Sequence, residues 1–258
     1  QAFQAKHQNI KKVYFRSASM LLSTPYLVRF YGLLISVYAH TELSPYPSCE
    51  SANGLLECSL RVEVTRIHLN FKNISFRTRT YNGMFPGPIL RAAPGDVVRI
   101  KLQNTLGKNM PYSGCHAPLS EFRAANATNL HIHGIYDSSS ADNTFVCVAP
   151  GEEYTYNYKI NSRSGTSTLW YHPHNEGSTA EQVYGGMAGA FEIADPGEDA
   201  AFSFAATHVM LLQTLNFDPT SKEYIDPYES NGGVSALPLD LRNPHDFTGI
   251  LLLVNGNI

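Results

Sequence analysis

Tyr81-Asn-Gly-Met-Phe-Pro-Gly-Pro-Ile-Leu-Arg-Ala-Ala-Pro-Gly-Asp96-Val-Val-Arg-Ile-Lys-Leu-Gln-Asn104 is the stretch whose reading decides the fold. Gly and Pro punctuate its first half and again Pro94-Gly95, while Val97 to Leu102 alternates apolar with basic residues. This reads as turn, strand, turn, strand. Working outward, Ala149-Pro-Gly-Glu-Glu-Tyr154-Thr-Tyr-Asn-Tyr158 predicts another alternating strand. Gly185-Gly-Met-Ala-Gly-Ala-Phe191-Glu-Ile193 places small residues where a backbone must pass close to something. Many strands with short turns and no regular repeat predict an all-β fold, a Greek-key β-sandwich over residues 58–198.

Inside that span lie two His-x-His pairs, His131-Ile132-His133-Gly134 and His172-Pro173-His174. Side chains two apart on a strand share a face at roughly 6.6 Å separation, so each pair presents both rings to one metal or to two adjacent metals. Independent placement of ten histidines in 258 residues predicts roughly 0.4 such pairs. The bland alternative is a set of strand histidines bonded in a core or facing solvent. A cupin site also uses His-x-His but wants a glutamate soon after, and Gly-Ile-Tyr-Asp-Ser-Ser-Ser follows His133. A three-histidine zinc site with one open position is satisfied in number only. Proline at 173 removes a donor and fixes φ, so the second strand is expected to lie at an edge or to end near the site.

In order along the chain stand Asn82-Gly-x-x-Pro-Gly-Pro, Pro94-Gly-Asp, His131-x-His-Gly, Ala149-Pro-Gly-Glu, Trp170-Tyr-His-x-His and Gly186-Met-x-Gly. Together these resemble the first cupredoxin (plastocyanin-like) domain of the multicopper oxidases, the family of laccases, ascorbate oxidases and ferroxidases. The resemblance covers about residues 58–198. It implies that the four histidines are half of the eight that hold a trinuclear copper cluster where dioxygen is reduced to water. His131 matches the ligand of the type 2 copper, and His133, His172 and His174 match ligands of the type 3 pair. Imidazole suits copper, which stands high in the Irving–Williams order. Asp142 resembles the family's acidic residue near the type 2 copper that helps deliver protons; a turn aspartate is the alternative reading. The orienting partners of each ligand ring, expected on general grounds, are not legible from sequence.

The same resemblance organises the rest of the chain. Residues 1–39 read as a leader or an over-extended translation, 40–57 as a linker, and 199–258 as an incomplete second cupredoxin domain. In that last part His208-Val-Met-Leu-Leu-Gln213 reads as a strand, and Ile250-Leu-Leu-Leu-Val-Asn-Gly256 resembles a second-domain segment of the family. The type 1 copper, which takes electrons from a small reducing substrate (a phenol, a diol, an aromatic amine or a metal ion), belongs to a C-terminal motif outside this sequence, as do the other four cluster histidines. The expectation is that the C-terminal cupredoxin domain is needed to complete the cluster and that these 258 residues alone are inactive. The competing class is a non-enzymatic, secreted cupredoxin-like copper-binding protein.

Net charge of −3, from 19 basic and 22 acidic residues, and the absence of a long Lys/Arg run exclude a nucleic-acid surface. The 43% apolar content suffices for a packed core. Residues 20–29 precede an apolar run from Phe30 to Ala39, which reads as a secretory signal cleaved after Ala39, with an uncleaved anchor over 20–39 as the rival. Secretion agrees with four cysteines. Cys49 and Cys58 are near enough to close a small loop and Cys115 can meet Cys147, though four cysteines allow three connectivities. Cys147 also resembles a family cysteine that pairs with a distant C-terminal partner. Asn73-Ile-Ser and Asn126-Ala-Thr are glycosylation acceptors in a secreted chain. His7, His40, His68, His116, His208 and His245 lack paired spacing and read as surface or structural residues.

Overall fold

The computed structural model describes residues 10–15, 46–69, 74–107, 115, 125–194, 196–201, 206–216 and 250–256. The strands are β1 (Ile10–Phe15), β2 (Ser48–Glu50), β3 (Leu55–Leu69), β4 (Ile74–Tyr81), β5 (Ile89–Ala92), β6 (Val97–Asn104), β7 (His131–His133), β8 (Glu153–Lys159), β9 (Ser167–His172), β10 (Gly189–Ile193), β11 (Ala206–Asn216) and β12 (Ile250–Val254). Two one-and-a-half-turn helices, α1 (Thr179–Tyr184) and α2 (Pro196–Ala201), flank β10.

Two sheets form the sandwich, one ordered β2-β5-β10-β9-β7 and the other β4-β3-β6-β8. The alternation read between 97 and 102 is the cause of their stacking. Val98, Ile100 and Leu102 point inward with no exposure, while Arg99 and Lys101 face water. Leu56, Leu60, Tyr156 and Tyr158 extend that inner layer along β3 and β8, and Leu90, Ile132, Tyr171 and Phe191 answer it from the other sheet in one apolar cluster. The quoted turns behave as read. Asn82 and Gly83 both take positive φ, with Met84 N–H donating to the Tyr81 carbonyl at 3.0 Å, the geometry that suits Asn-Gly in a tight hairpin. Asp96 caps the second turn by accepting the Ala93 N–H at 2.7 Å.

The small-residue segment before and within β10 passes Tyr171. A Cβ on Gly189 would come within 2.2 Å of that ring, whose hydroxyl donates to the Pro88 carbonyl at 2.7 Å. Both local disulfides are present: Cys49–Cys58 joins one sheet to the other through β2 and β3, and Cys115–Cys147 ties residue 115 to the loop after β7.

Two expectations need correction. The sandwich starts at Ser48, inside the stretch read as a linker, because three-residue β2 adds in parallel to β5; a strand that short carries no readable alternation. Within the stretch read as a leader, β1 pairs antiparallel with β11, whose other side is taken by β12. An unpaired edge on β11 is a template for any extended segment, and Ile10-Lys-Lys-Val-Tyr-Phe15 is rich in strand-forming residues. Asn126 is half-buried and its side chain is engaged: Oδ1 accepts from Arg79 Nε and Nη2 at 3.0 and 2.8 Å, and Nδ2 donates to the Gly107 carbonyl at 2.9 Å. Asn73, residues 20–39, His7, His40, His116 and His245 lie outside the described residues. Among the described residues no helix is long and apolar enough to cross a membrane.

Candidate metal centre

Among the described residues β7 is the edge of its sheet, paired with β9 in the register His131↔His172, Ile132↔Tyr171, His133↔Trp170. Ile132 and Tyr171 point into the core, so by strand alternation His131, His133, Trp170 and His172 share the opposite face. The register sets His131 directly across from His172, with ring centroids 5.2 Å apart. His133 lies 5.6 Å from both of those rings, and His174 lies 5.3 Å from His131 and 6.0 Å from His172. All four predicted histidines therefore converge. One nitrogen each from His131, His133 and His172 falls within a 4.8 Å group, which His174 flanks from the His131 side. β9 ends at His172 because Pro173 cannot continue the ladder, as its chemistry predicts.

The His131 and His172 rings are held by different devices. Asp142 Oδ2 lies 2.6 Å from His131 Nδ1, which leaves Nε2 as that ring's free ligand atom. The other carboxylate oxygen accepts the Ile132 N–H at 3.2 Å and the Tyr158 hydroxyl at 3.4 Å. The Asp142 N–H also closes a turn onto the Ser138 carbonyl at 3.0 Å. Burial first, and the Asp142 charge second, push the Tyr158 phenol far up, so it keeps its proton and donates. His172 donates from Nδ1 to the Pro173 carbonyl at 2.9 Å, and its Nε2 lies 3.4 Å from His133 Nδ1. Burial pushes its imidazolium down to about 3 against the weaker opposing pull of that carbonyl; the ring is neutral at physiological pH, the form a metal requires.

Sequence reasoning missed the role of Trp170. It stacks on His172 with centroids 4.1 Å apart and on His133 at 5.2 Å, making a wall to the exposed side of the site. Its position two residues before His172 was the available signal, since i and i+2 share a strand face. Tyr158 was also missed, since it lies 16 residues along the chain from the Asp142 carboxylate it bonds.

A family model described as multicopper oxidase matches residues 63–117 and 122–198. The chain belongs to the multicopper oxidase family. Its sandwich is a cupredoxin domain of that family. A multicopper oxidase from Staphylococcus haemolyticus is 33% identical over 144 residues, covering 55% of this chain and 28% of its own length. Laccase-4 of Thanatephorus cucumeris is 30% identical over 138 residues, covering 50% of this chain and 23% of its own length. The solved multicopper oxidase of Campylobacter jejuni, described as a metallo-oxidase, aligns with a TM-score of 0.46 at 26% identity over 58% of this chain and 28% of that one. The chain thus spans about 28% of the staphylococcal multicopper oxidase that it matches.

The donor set of this multicopper oxidase fits copper. Neutral imidazoles are good copper ligands, two of the rings have one nitrogen already committed to a carboxylate or a carbonyl, and no described carboxylate competes as a direct ligand in the converging group.

Proposed function

We propose that this chain supplies half the ligands of a trinuclear copper centre in an oxidase that couples one-electron oxidation of a small reducing substrate to reduction of dioxygen. The observation that carries this reading is the convergence of His131, His133 and His172 nitrogens within 4.8 Å on one sheet face, with His174 beside them. His131 would hold the type 2 copper, and His133, His172 and His174 the type 3 pair. Bound copper would supply the one-electron steps that carry dioxygen to water.

The protein's own side chains orient the ligands and handle the protons. Asp142 fixes the tautomer of His131 through Oδ2 and, through Oδ1 facing the Tyr158 hydroxyl, is the group at which a proton is held and passed to the site. Trp170 shields the His133 and His172 rings from water on one side. His133 and His174 are exposed, and Tyr136 and Phe145, on the loop that carries Asp142, are 88% and 95% exposed. Exposed aromatics beside half-open ligands support a covering partner, the C-terminal cupredoxin domain that would bring the other four histidines and the type 1 copper. Two disulfides support export to an oxidising compartment.

The test is His131→Ala in the complete, copper-loaded oxidase, followed by dioxygen uptake and by thermal unfolding. Lost uptake with unchanged unfolding supports the catalytic reading. Retained uptake with a lowered melting temperature would instead make the copper structural.

A further inference from the structure

The β7–β9 ladder stops two residues short of the fourth histidine. His131 pairs with His172, so continuing the register sets Leu130 opposite Pro173 and Asn129 opposite His174. Backbone pairing fails there on both strands. Pro173 has no N–H, and the Leu130 N–H is taken by the Tyr156 hydroxyl at 3.0 Å. Yet the His174 N–H is not left to solvent: it donates to Asn129 Oδ1 at 2.6 Å. Asn129 is fully buried, and its Nδ2 donates to the Thr144 and Val146 carbonyls at 2.8 and 3.0 Å. Two carbonyls on one side and an N–H on the other admit only one orientation of the amide. The loop after Asp142 thereby aims the oxygen of Asn129 at His174.

We infer that Asn129 is a positioning residue for His174, its side-chain oxygen taking the His174 N–H where the ladder has ended. This rests on the copper reading above for its consequence and on geometry alone for its placement. The other three rings have a strand, a carboxylate or a stacked indole behind them. The His174 backbone has this one amide, and an exposed imidazole on an unpaired segment has no other described anchor to set its distance from His131.

The experiment follows two quantities in Asn129→Leu and Asn129→Asp, each alone and with His174→Ala: hydrogen exchange of the His174 amide in the copper-free protein, and Cu(II) affinity. Leucine keeps the branched shape and removes every side-chain hydrogen bond; aspartate retains an oxygen for His174. The expected result for leucine is faster exchange at His174, with core amides unchanged, and a copper affinity lower by roughly 10–100-fold. That cost should largely vanish in the His174→Ala background, since the two changes act on one ligand. Across the folding Asn129 variants that retain His174 the two readouts should move together. Among these, a variant that loses His174 protection yet binds copper normally, or one that keeps protection yet loses copper, overturns the inference, as does an equal leucine cost in both backgrounds. If the unsubstituted protein takes up no copper, the copper reading fails, while amide exchange still decides whether Asn129 holds His174.

Discussion

The inner face of β3, β6 and β8 and the outer face of β7 and β9 belong to the same sandwich but are stabilised in opposite ways. The first is a continuous apolar layer in which Leu56, Leu60, Val98, Ile100 and Leu102 are all fully buried. Hydrophobic contact is non-directional, so each residue there is one of many that do the same thing. The second face is held by single, directional bonds: Asp142 to His131, the Pro173 carbonyl to His172, Asn129 to the His174 backbone. The sandwich supplies rigidity in bulk, and the site spends it on placing four rings. Damage to the first face should therefore appear as lost stability, and damage to the second as lost metal affinity on an intact fold.

Four substitutions break or sharpen that contrast. Leu102→Ala leaves a cavity in the layer shared by both sheets and should cost about 2–5 kcal/mol of unfolding free energy, read by chemical denaturation. Asp142→Asn removes the charge that orients His131 and should lower copper affinity by roughly 10–100-fold, with far-ultraviolet circular dichroism unchanged; an equal loss of cooperative folding would erase the distinction between the faces. Trp170→Leu removes the stack on His172 and His133, worth about 0.5–1.5 kcal/mol beyond its buried area. Because Trp170 touches the rings without bonding their nitrogens, denaturation should register the change more clearly than copper titration does. Arg99→Ala, on the solvent side of β6 where Arg99 meets Glu57 at 3.2 Å, should cost no more than about 1 kcal/mol and be insensitive to copper. A larger effect would mean that the outer charge ladder matters more than exposed ion pairs do.

The strands of the sandwich were legible because their alternation is local and long enough to repeat, as in β6 and β8. Short β2 was not, since three residues hold no period, and the pairing of β1 with β11 joins segments nearly two hundred residues apart. At the site, the four histidines that converge were readable from paired spacing and family resemblance. Asp142 was named for its chemistry, but its bond to His131 Nδ1 depends on how an eleven-residue excursion folds back. Asn129 carried no signal at all, because an asparagine near a strand end is ordinary until the register shows what stands opposite.

By itself the sequence determined the strand-rich architecture, the shared face of His131 with His133 and the interruption at Pro173, all consequences of two-residue periodicity and of a ring that lacks an N–H. Tertiary structure alone decided that His131 meets His172, which carboxylate and which amide hold the rings, and which cysteines pair. Those depend on packing between segments tens of residues apart, where the energy of a contact exists only after both partners have been brought together.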